Sequence, residues 1–183
     1  MNLALPPGTG DAGWLRAFHA VVPGAVQAFK PQLLVTQCGA DAHRTDPLAD
    51  LRLSVDCQRT AYLALEQLAE TCCDGRWLAF GGGGYSLVEA VPRAWTHLLA
   101  VLTGEPIEPG TPTPPAWRAL AQARCPQAFP PATMTDFPGA AAETVPYRPW
   151  DPGASADAVD RAILATRRAV FPLLGLDPYD PRD

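Results

Sequence analysis

The sequence predicts an α/β fold in which parallel strands alternate with helices. Two short apolar runs, residues 32–37 and 77–80, have the length and composition of buried strands. Segments with a helical spacing of apolar residues lie before, between and after these runs, which gives the order helix, strand, helix, strand, helix. Because a helix joins the two strands, we expect them to run parallel.

Each of the three helices has its own pattern of apolar residues. The first covers residues 11–28, and we expect an interruption at Pro23 because proline lacks a backbone N–H. The second covers residues 59–71 and the third residues 87–102, both with apolar residues three and four positions apart. These helices are predicted to cover the faces of the sheet.

Two parallel strands are too few for a stable sheet that is covered on both faces. Each edge would leave unpaired backbone groups open to another strand. Either the second half of the chain contains further strands, or the sheet is completed by something outside this chain.

The chain after residue 104 favours irregular structure. Prolines recur in residues 105–115 too often for a helix or a central strand. Residues 116–124 predict a short helix, and residues 126–157 are interpreted as irregular. A last amphipathic helix is predicted from the apolar residues Val159, Ile163, Leu164, Ala169, Val170 and Leu173.

Composition excludes several classes of protein. With 183 residues and 48% hydrophobic residues, the chain can bury a core. Its 14 basic and 19 acidic residues, without a basic cluster, argue against a nucleic-acid-binding surface. No apolar run approaches the roughly 18 residues of a membrane span, and the first residues lack the pattern of a secretion signal. The five cysteines contain no C-x-x-C pair, which favours reduced thiols in a cytoplasmic protein.

Two loops follow the two predicted strands and are the candidate site. Residues 38–43 follow the first strand, and residues 81–85 follow the second. Because the carboxyl ends of neighbouring parallel strands meet at one edge of a sheet, we expect both loops at the same rim.

The second of these loops is a run of four glycines that ends at Tyr85. Such a run indicates unusual backbone dihedrals or a close approach of another group, although a tight strand-to-helix turn would also account for it. The spacing matches neither a dinucleotide-binding fingerprint nor a phosphate-binding loop. The Tyr85 hydroxyl could donate to a carbonyl or an oxyanion, or the ring could simply pack.

The first loop carries Asp41 and His43, which are residue types that bind metals. A catalytic zinc site takes three protein ligands and a water, however, and the chain has only three histidines. Asp41 could equally cap local amides. The pair Asp46-Pro47 is typical of a turn, and His19 and His97 lie in helical segments as packing or surface residues.

Taken together, four motifs resemble those of the histone deacetylase superfamily, and in particular its AcuC-like bacterial branch for acetoin utilisation. The motifs, in chain order, are Gln37-Cys38-Gly39-Ala40-Asp41-Ala42-His43, Asp46-Pro47-Leu48, Gly81-Gly82-Gly83-Gly84-Tyr85 and Pro92-Arg93-Ala94-Trp95-Thr96. Residues near both ends of the chain are similar to that branch as well.

The resemblance implies an arginase/deacetylase-type α/β fold, a parallel sheet with helices on both faces. It implies a zinc ion, with iron as an alternative, and assigns Asp41 as the second, distant Asp ligand. Tyr85 matches the tyrosine that stabilises the oxyanion of amide hydrolysis, and Leu48 matches an apolar wall of the acetyl-lysine tunnel. The backbone of Gly82, Gly83 and Gly84 matches the base of that tunnel, whereas His43 is not a ligand in the family.

The sequence also departs from the family. It has no His-His pair and no second Asp-x-His, and Asp56-Cys57 stands where relatives have Gly-His, which predicts a different start of the second helix. We therefore expect residues 1–183 to be the C-terminal portion of a deacetylase domain. Residues 1–104 would form the α/β part with the site loops, and residues 105–183 a proline-rich extension with a terminal helix.

The resemblance thus predicts part of a zinc-dependent lysine deacetylase that is inactive without an N-terminal half-domain or an oligomeric partner. Its expected substrate is an acetylated protein lysine, for example on acetyl-CoA synthetase. One alternative is a non-catalytic assembly module that retains the half-fold. The other is a small metal-binding protein that uses Asp41 and His43 with external ligands.

Overall fold

The computed structural model describes residues 1–137, 145–154 and 157–183 of the chain. Within these residues the elements, in chain order, are α1 (Asp11–Phe29), β1 (Leu34–Gln37), α2 (Val55–Cys73), β2 (Trp77–Phe80), α3 (Val91–Leu102), α4 (Pro115–Arg124), α5 (Ala158–Val170) and a short 3-10 helix (Phe171–Leu174). The predicted α/β class and the predicted order of elements are confirmed.

The strands β1 and β2 form a two-stranded parallel sheet joined by the α2 crossover. Leu34 lies opposite Trp77, and the register continues to Gln37 opposite Phe80. Helices α2 and α3 pack on one face of this sheet, where Tyr62 and other apolar residues form a buried cluster with Trp77.

The opposite face of the sheet carries exposed apolar side chains. Val35, Leu78 and Phe80 are 54%, 45% and 55% exposed. No further strand is present in residues 1–137, 145–154 and 157–183. The part of the extension that the structure describes therefore adds no strand to the sheet.

Helix α1 is continuous through Pro23, so the predicted interruption is wrong. One face of α1 packs against α5 and the 3-10 helix, and it buries Val21 with Ile163 and Phe171. The free energy gained by burying this face outweighs the cost of the backbone hydrogen bond that Pro23 cannot donate. The helix ends at Phe29, and Lys30, which caps it, adopts a left-handed conformation with φ of 54°.

Helix α2 starts at Val55, four residues before the predicted start, because Ser54 caps it. The Ser54 side chain accepts a hydrogen bond from the Cys57 N–H at 3.0 Å, and Asp11 accepts hydrogen bonds from both the backbone and the hydroxyl of Ser54. Helix α3, in turn, starts at Val91 rather than at residue 87, with Pro92 in its first turn.

The described residues of the extension combine short helices with irregular segments. The predicted short helix forms as α4 and the predicted terminal helix as α5. Residues 126–137 and 145–154 contain neither helix nor strand, as predicted, and the other residues of the stretch predicted to be irregular, 138–144 and 155–156, lie outside the described residues.

The end of the chain is organised around the buried side chain of Arg167. The guanidinium lies over the rings of Trp150 and Phe171, at 4.6 and 4.0 Å from their centroids. It donates hydrogen bonds to five carbonyl oxygens, those of Ala20, Asp177, Pro178, Asp180 and Asp183. Arg167 thereby ties the C-terminal residues to α1.

Candidate functional site

The two loops that follow the strands lie side by side, as the sequence predicts. The parallel ladder extends beyond the strands, because the Cys38 N–H donates to the Phe80 carbonyl at 2.8 Å and the Ala40 N–H to the Gly83 carbonyl at 2.7 Å. The Trp95 indole donates to the Cys38 carbonyl at 2.9 Å. The rim is thus held by backbone hydrogen bonds and by α3.

The carboxylate of Asp41 lies between the backbones of the two loops. A Cβ atom built on Gly83 would stand 2.1 Å from Asp41 Oδ2, and one built on Gly39 would stand 2.7 Å from Oδ1. None of the glycines at 81–84 has a positive φ. Close approach, rather than unusual dihedrals, explains why glycine occupies position 83.

The Asp41 carboxylate accepts no hydrogen bond from the residues that the structure describes, although Asp41 is partly buried. It is therefore free to bind a cation, and the alternative in which Asp41 caps local amides finds no support among these residues. Within the described part of the chain, no group of three or more His, Cys, Asp or Glu side chains could hold a metal ion. Asp41 fits as a single ligand of a site that needs others.

Asp46 joins the remaining site residues to one another. Its Oδ1 accepts a hydrogen bond from the Leu48 N–H at 2.9 Å, which forms the predicted turn, and its Oδ2 accepts one from the Tyr85 N–H at 2.8 Å. Asp46 is buried, whereas the Leu48 and Tyr85 side chains are 69% and 51% exposed. The carboxylate thus fixes the backbone of Tyr85 and leaves its phenol open to a ligand.

His43 is buried and has partners at both ring nitrogens. Nε2 lies 2.8 Å from Asp136 Oδ2, and Nδ1 lies 2.9 Å from Thr45 Oγ1 and 3.2 Å from the Thr45 N. Because the backbone N–H of Thr45 donates to Nδ1, the ring proton of a neutral His43 belongs on Nε2. With both nitrogens engaged, His43 is not available as a second ligand beside Asp41.

Asp136, in the extension, is the centre of a buried ionic cluster behind the loops. Its carboxylate accepts hydrogen bonds from His43, from Arg93 Nη2 at 2.7 Å and from the Val55 N–H at 3.0 Å. Burial by itself raises the pKa of this carboxyl, but the hydrogen bond from His43 and the charge of Arg93 hold it well below its usual range. Asp56 accepts a hydrogen bond from the Asp136 N–H at 2.8 Å, so the residue that departs from the family pattern contacts the extension.

Sequence reasoning missed Asp136 and the role of Asp46 towards Tyr85. The sequence did indicate a turn at Asp46, since a carboxylate before proline often accepts hydrogen bonds from nearby backbone amides. Its second partner, the Tyr85 N–H, lies 39 residues away and could not be predicted from the local sequence. Asp136 stands 93 residues from His43 in a segment without periodicity, so no local signal marks it. His97 was predicted to be a packing or surface residue; it is buried, and its Nε2 lies 3.0 Å from the Met134 carbonyl.

The fold and the two loops at the rim of the sheet indicate which class of protein this chain belongs to. A parallel sheet with an aspartate and a tyrosine on adjoining loops at its carboxyl edge is the arrangement that the motifs predict. A family model of the histone deacetylase domain matches residues 1–102, more than half of the chain. The chain belongs to the histone deacetylase family.

Among individual relatives, the Bacillus subtilis acetoin utilization protein AcuC is 33% identical over 166 residues, which cover 91% of this chain and 42% of that protein. The AcuC protein of Staphylococcus aureus strain MRSA252 is 36% identical over 110 residues, 60% of this chain and 28% of the relative. The chain thus spans less than half the length of these curated relatives.

Solved structures are also similar to part of the chain. The crystal structure of the HDA15 HD domain matches 55% of this chain and 27% of its own chain, at 31% identity and a TM-score of 0.49. No helix in the described residues has the length and apolar character needed to cross a membrane.

Proposed function

We propose that the chain is the C-terminal part of a metal-dependent lysine deacetylase of the AcuC type, which hydrolyses acetyl-lysine amides in the cytoplasm. The observation that carries this proposal is the free carboxylate of Asp41 on the same rim as the open phenol of Tyr85. Family membership supports the reaction class. The substrate that we propose, an acetylated protein lysine such as one on acetyl-CoA synthetase, follows from the resemblance of the motifs to the AcuC-like branch.

In this proposal each site residue has a separate task. Asp41 would be one ligand of a zinc or iron ion, and such an ion would make a bound water more acidic and polarise the substrate carbonyl. Tyr85 donates a hydrogen bond to the oxygen that becomes negatively charged, and Asp46 keeps the Tyr85 backbone in place. Leu48 forms an apolar wall of the acetyl-lysine tunnel, and the backbone of residues 82–84 lines its base.

The site requires groups that the described residues do not supply. Asp41 is one ligand, and no metal-binding group of three side chains exists within the described residues. We propose that an N-terminal half-domain, or a partner in an oligomer, provides the other ligands and the proton-transfer histidines. The chain by itself is then inactive.

The test uses the chain together with the N-terminal portion of an AcuC relative, and it measures metal content and release of acetate from an acetyl-lysine peptide. We expect one zinc per complex, and its loss in Asp41→Asn. Tyr85→Phe should retain zinc and lose about 10²-fold in kcat, since one oxyanion donor is removed. Stoichiometric zinc in Asp41→Asn, or near-normal turnover in Tyr85→Phe, contradicts the assignment.

Two matched variants control for general damage to the fold. Asp50→Asn changes an exposed carboxylate close to the site loop, and Tyr179→Phe removes a half-exposed hydroxyl near the C-terminus. Both should bind zinc and turn over like the unmodified chain. A loss of zinc in Asp50→Asn equal to that in Asp41→Asn would show that neither carboxylate is a specific ligand.

A second candidate function is a non-catalytic assembly module. The exposed side chains of Val35, Leu78 and Phe80 favour it, because an apolar sheet face of this kind is typical of an interaction surface. A complex that forms without zinc and without turnover would support this candidate over the deacetylase.

A further inference from the structure

A chain of hydrogen bonds connects the extension to the loop that carries Tyr85. It begins at Asp136, whose Oδ2 lies 2.8 Å from His43 Nε2. It continues from His43 Nδ1 to Thr45 Oγ1 at 2.9 Å, and from Thr45 Oγ1 to Ser86 Oγ at 2.8 Å. Ser86 is the residue after Tyr85, so three side-chain contacts join the extension to the candidate catalytic tyrosine.

Of the four side chains in this series, three are shielded from water, whereas Thr45 is exposed. His43 is 1% exposed, Ser86 7%, and the Asp136 side chain 7%. Between buried groups such as Asp136 and His43 a hydrogen bond is stronger than at the surface, and a broken one leaves an unpaired polar group. A displacement of Asp136 would therefore alter the contacts of His43, Thr45 and Ser86, and with them the position of the loop that carries Tyr85.

Asp136 is itself held from several sides. Arg93 of α3 bonds both to its carboxylate and, through Nη1, to the Thr135 carbonyl at 2.9 Å. His97 contacts the Met134 carbonyl, and the Met134 N–H donates to the Thr111 carbonyl at 2.9 Å. The segment around Asp136 is a fixed support, although it lies beyond the residues that the family model matches.

We propose that Asp136 is a positioning residue of the site. Through His43, Thr45 and Ser86 it fixes the loop of Tyr85 relative to the loop of Asp41. The extension thereby contributes a residue that maintains the geometry of the site. The inference rests on the proposed function only for the task that it gives to Tyr85; the mechanical coupling of the two loops does not depend on deacetylase activity.

The experiment measures amide hydrogen exchange in the full chain by NMR. The reporters are the Tyr85 N–H, which donates to Asp46, and the Ala40 N–H, which donates to Gly83. In Thr45→Val, which removes the middle hydroxyl and keeps the ionic contacts of Asp136, both amides should exchange about tenfold faster. The amide of Val21 in α1 reports global unfolding and should not change.

The second variant is Asp136→Asn, which removes the negative charge and replaces one of the two accepting oxygens by an NH2 group that can only donate. It should accelerate the same two amides, and the slowly exchanging Nε2 proton of His43 should disappear from the spectrum. That proton should persist in Thr45→Val, because the contact with Asp136 is intact there. This difference between the two variants would show that the hydrogen bonds act in the order Asp136, His43, Thr45, Ser86. A general loss of stability would affect both variants in the same way.

Matched controls separate this coupling from ordinary packing. Thr166→Val removes another threonine hydroxyl, which donates to the Asn2 carbonyl from a buried residue. Asp160→Asn removes a buried carboxylate paired with Arg16 and Arg148. Both should leave exchange at Tyr85 within twofold of the unmodified chain. The proposal is overturned if Tyr85 exchange is unchanged in Thr45→Val, or if it rises only in step with exchange at Val21. If Asp136→Asn does not fold, Thr45→Val still decides.

Discussion

At the scale of the residue, the absence of a side chain at Gly83 matters as much as the presence of one at Asp41. The position that a Cβ would take at Gly83 lies 2.1 Å from Asp41 Oδ2, far inside van der Waals contact. Any other residue at 83 must displace the carboxylate or separate the loops. Overpacking of this kind destabilises proteins by about 1–3 kcal/mol.

We therefore expect Gly83→Ala to lower the free energy of unfolding by about 1–3 kcal/mol and to weaken zinc binding in the complemented protein. Gly110→Ala is the matched control, because nothing lies within 4 Å of its Cβ position and its φ is not positive. Urea denaturation and zinc titration are the measurements. An equal effect of the two substitutions would show that Asp41 does not need the space beside Gly83.

The residues of the rim differ in how far the sequence could predict them. Asp41 and Tyr85 stand in contiguous motifs, so their positions after the strands could be predicted before any coordinates were known. The contact between Asp41 and Gly83 could be predicted only as one of several explanations for the glycines. Asp136 could not be found, because its partners come from three separate segments and the chain around it has no periodic pattern.

At the scale of the element, helix α5 shows how a cap and an ion pair share one carboxylate. Asp157 accepts a hydrogen bond from the Asp160 N–H at 2.8 Å and an ion-paired hydrogen bond from Arg16 at 2.6 Å. Burial raises the pKa of Asp157, but the hydrogen bonds from the Asp160 N–H and Arg16 together outweigh this effect and hold the pKa at about 2. The charged form is thus favoured in the folded state.

The sign of the pH dependence follows from this lowered pKa. Since the unfolded carboxyl has a pKa of about 3.9, the contribution of Asp157 to stability is complete above about pH 4 and is lost as the pH falls towards 2. In Asp157→Asn the cap remains, because asparagine caps well, but the charge is gone, so this part of the acid sensitivity should disappear. Asp157→Ala should lower stability at pH 7 by about 1 kcal/mol through loss of the cap.

Thermal unfolding of the three proteins at pH 7 and pH 3 measures both effects. An Asp157→Asn variant that loses as much stability between pH 7 and pH 3 as the unmodified chain would show that the ion pair with Arg16 contributes nothing.

The helices and strands also differ in how far the sequence could predict them. Strand β2 forms at the predicted residues, because a short apolar run bounded by turn residues is typical of a buried strand. The continuity of α1 through Pro23 depends on its burial against α5, which lies more than a hundred residues away in sequence. Local patterns therefore predict where elements form, and tertiary packing decides how they start, continue and end.

At the scale of the whole molecule, the sheet is unequally covered. Helices α2 and α3 cover one face, and the other face presents Val35, Leu78 and Phe80. Val35 and Leu78 are direct partners across the two strands, so they form a continuous apolar surface. The sequence already indicated this shortage of strands, but it could not show which face would be left exposed.

The exposed sheet face predicts where the complementing N-terminal half-domain would dock. Leu78→Asp should weaken that complex at least tenfold, because burying a leucine side chain contributes about 1.5–3 kcal/mol and burying a charge opposes binding. Leu99→Asp is the matched control, since Leu99 lies on α3, is 63% exposed and is not part of this face. Titration of the labelled chain with the half-domain gives the dissociation constants. If Leu78→Asp binds as tightly as Leu99→Asp, the partner does not use this face, and the sheet would have to be completed at its strand edges alone.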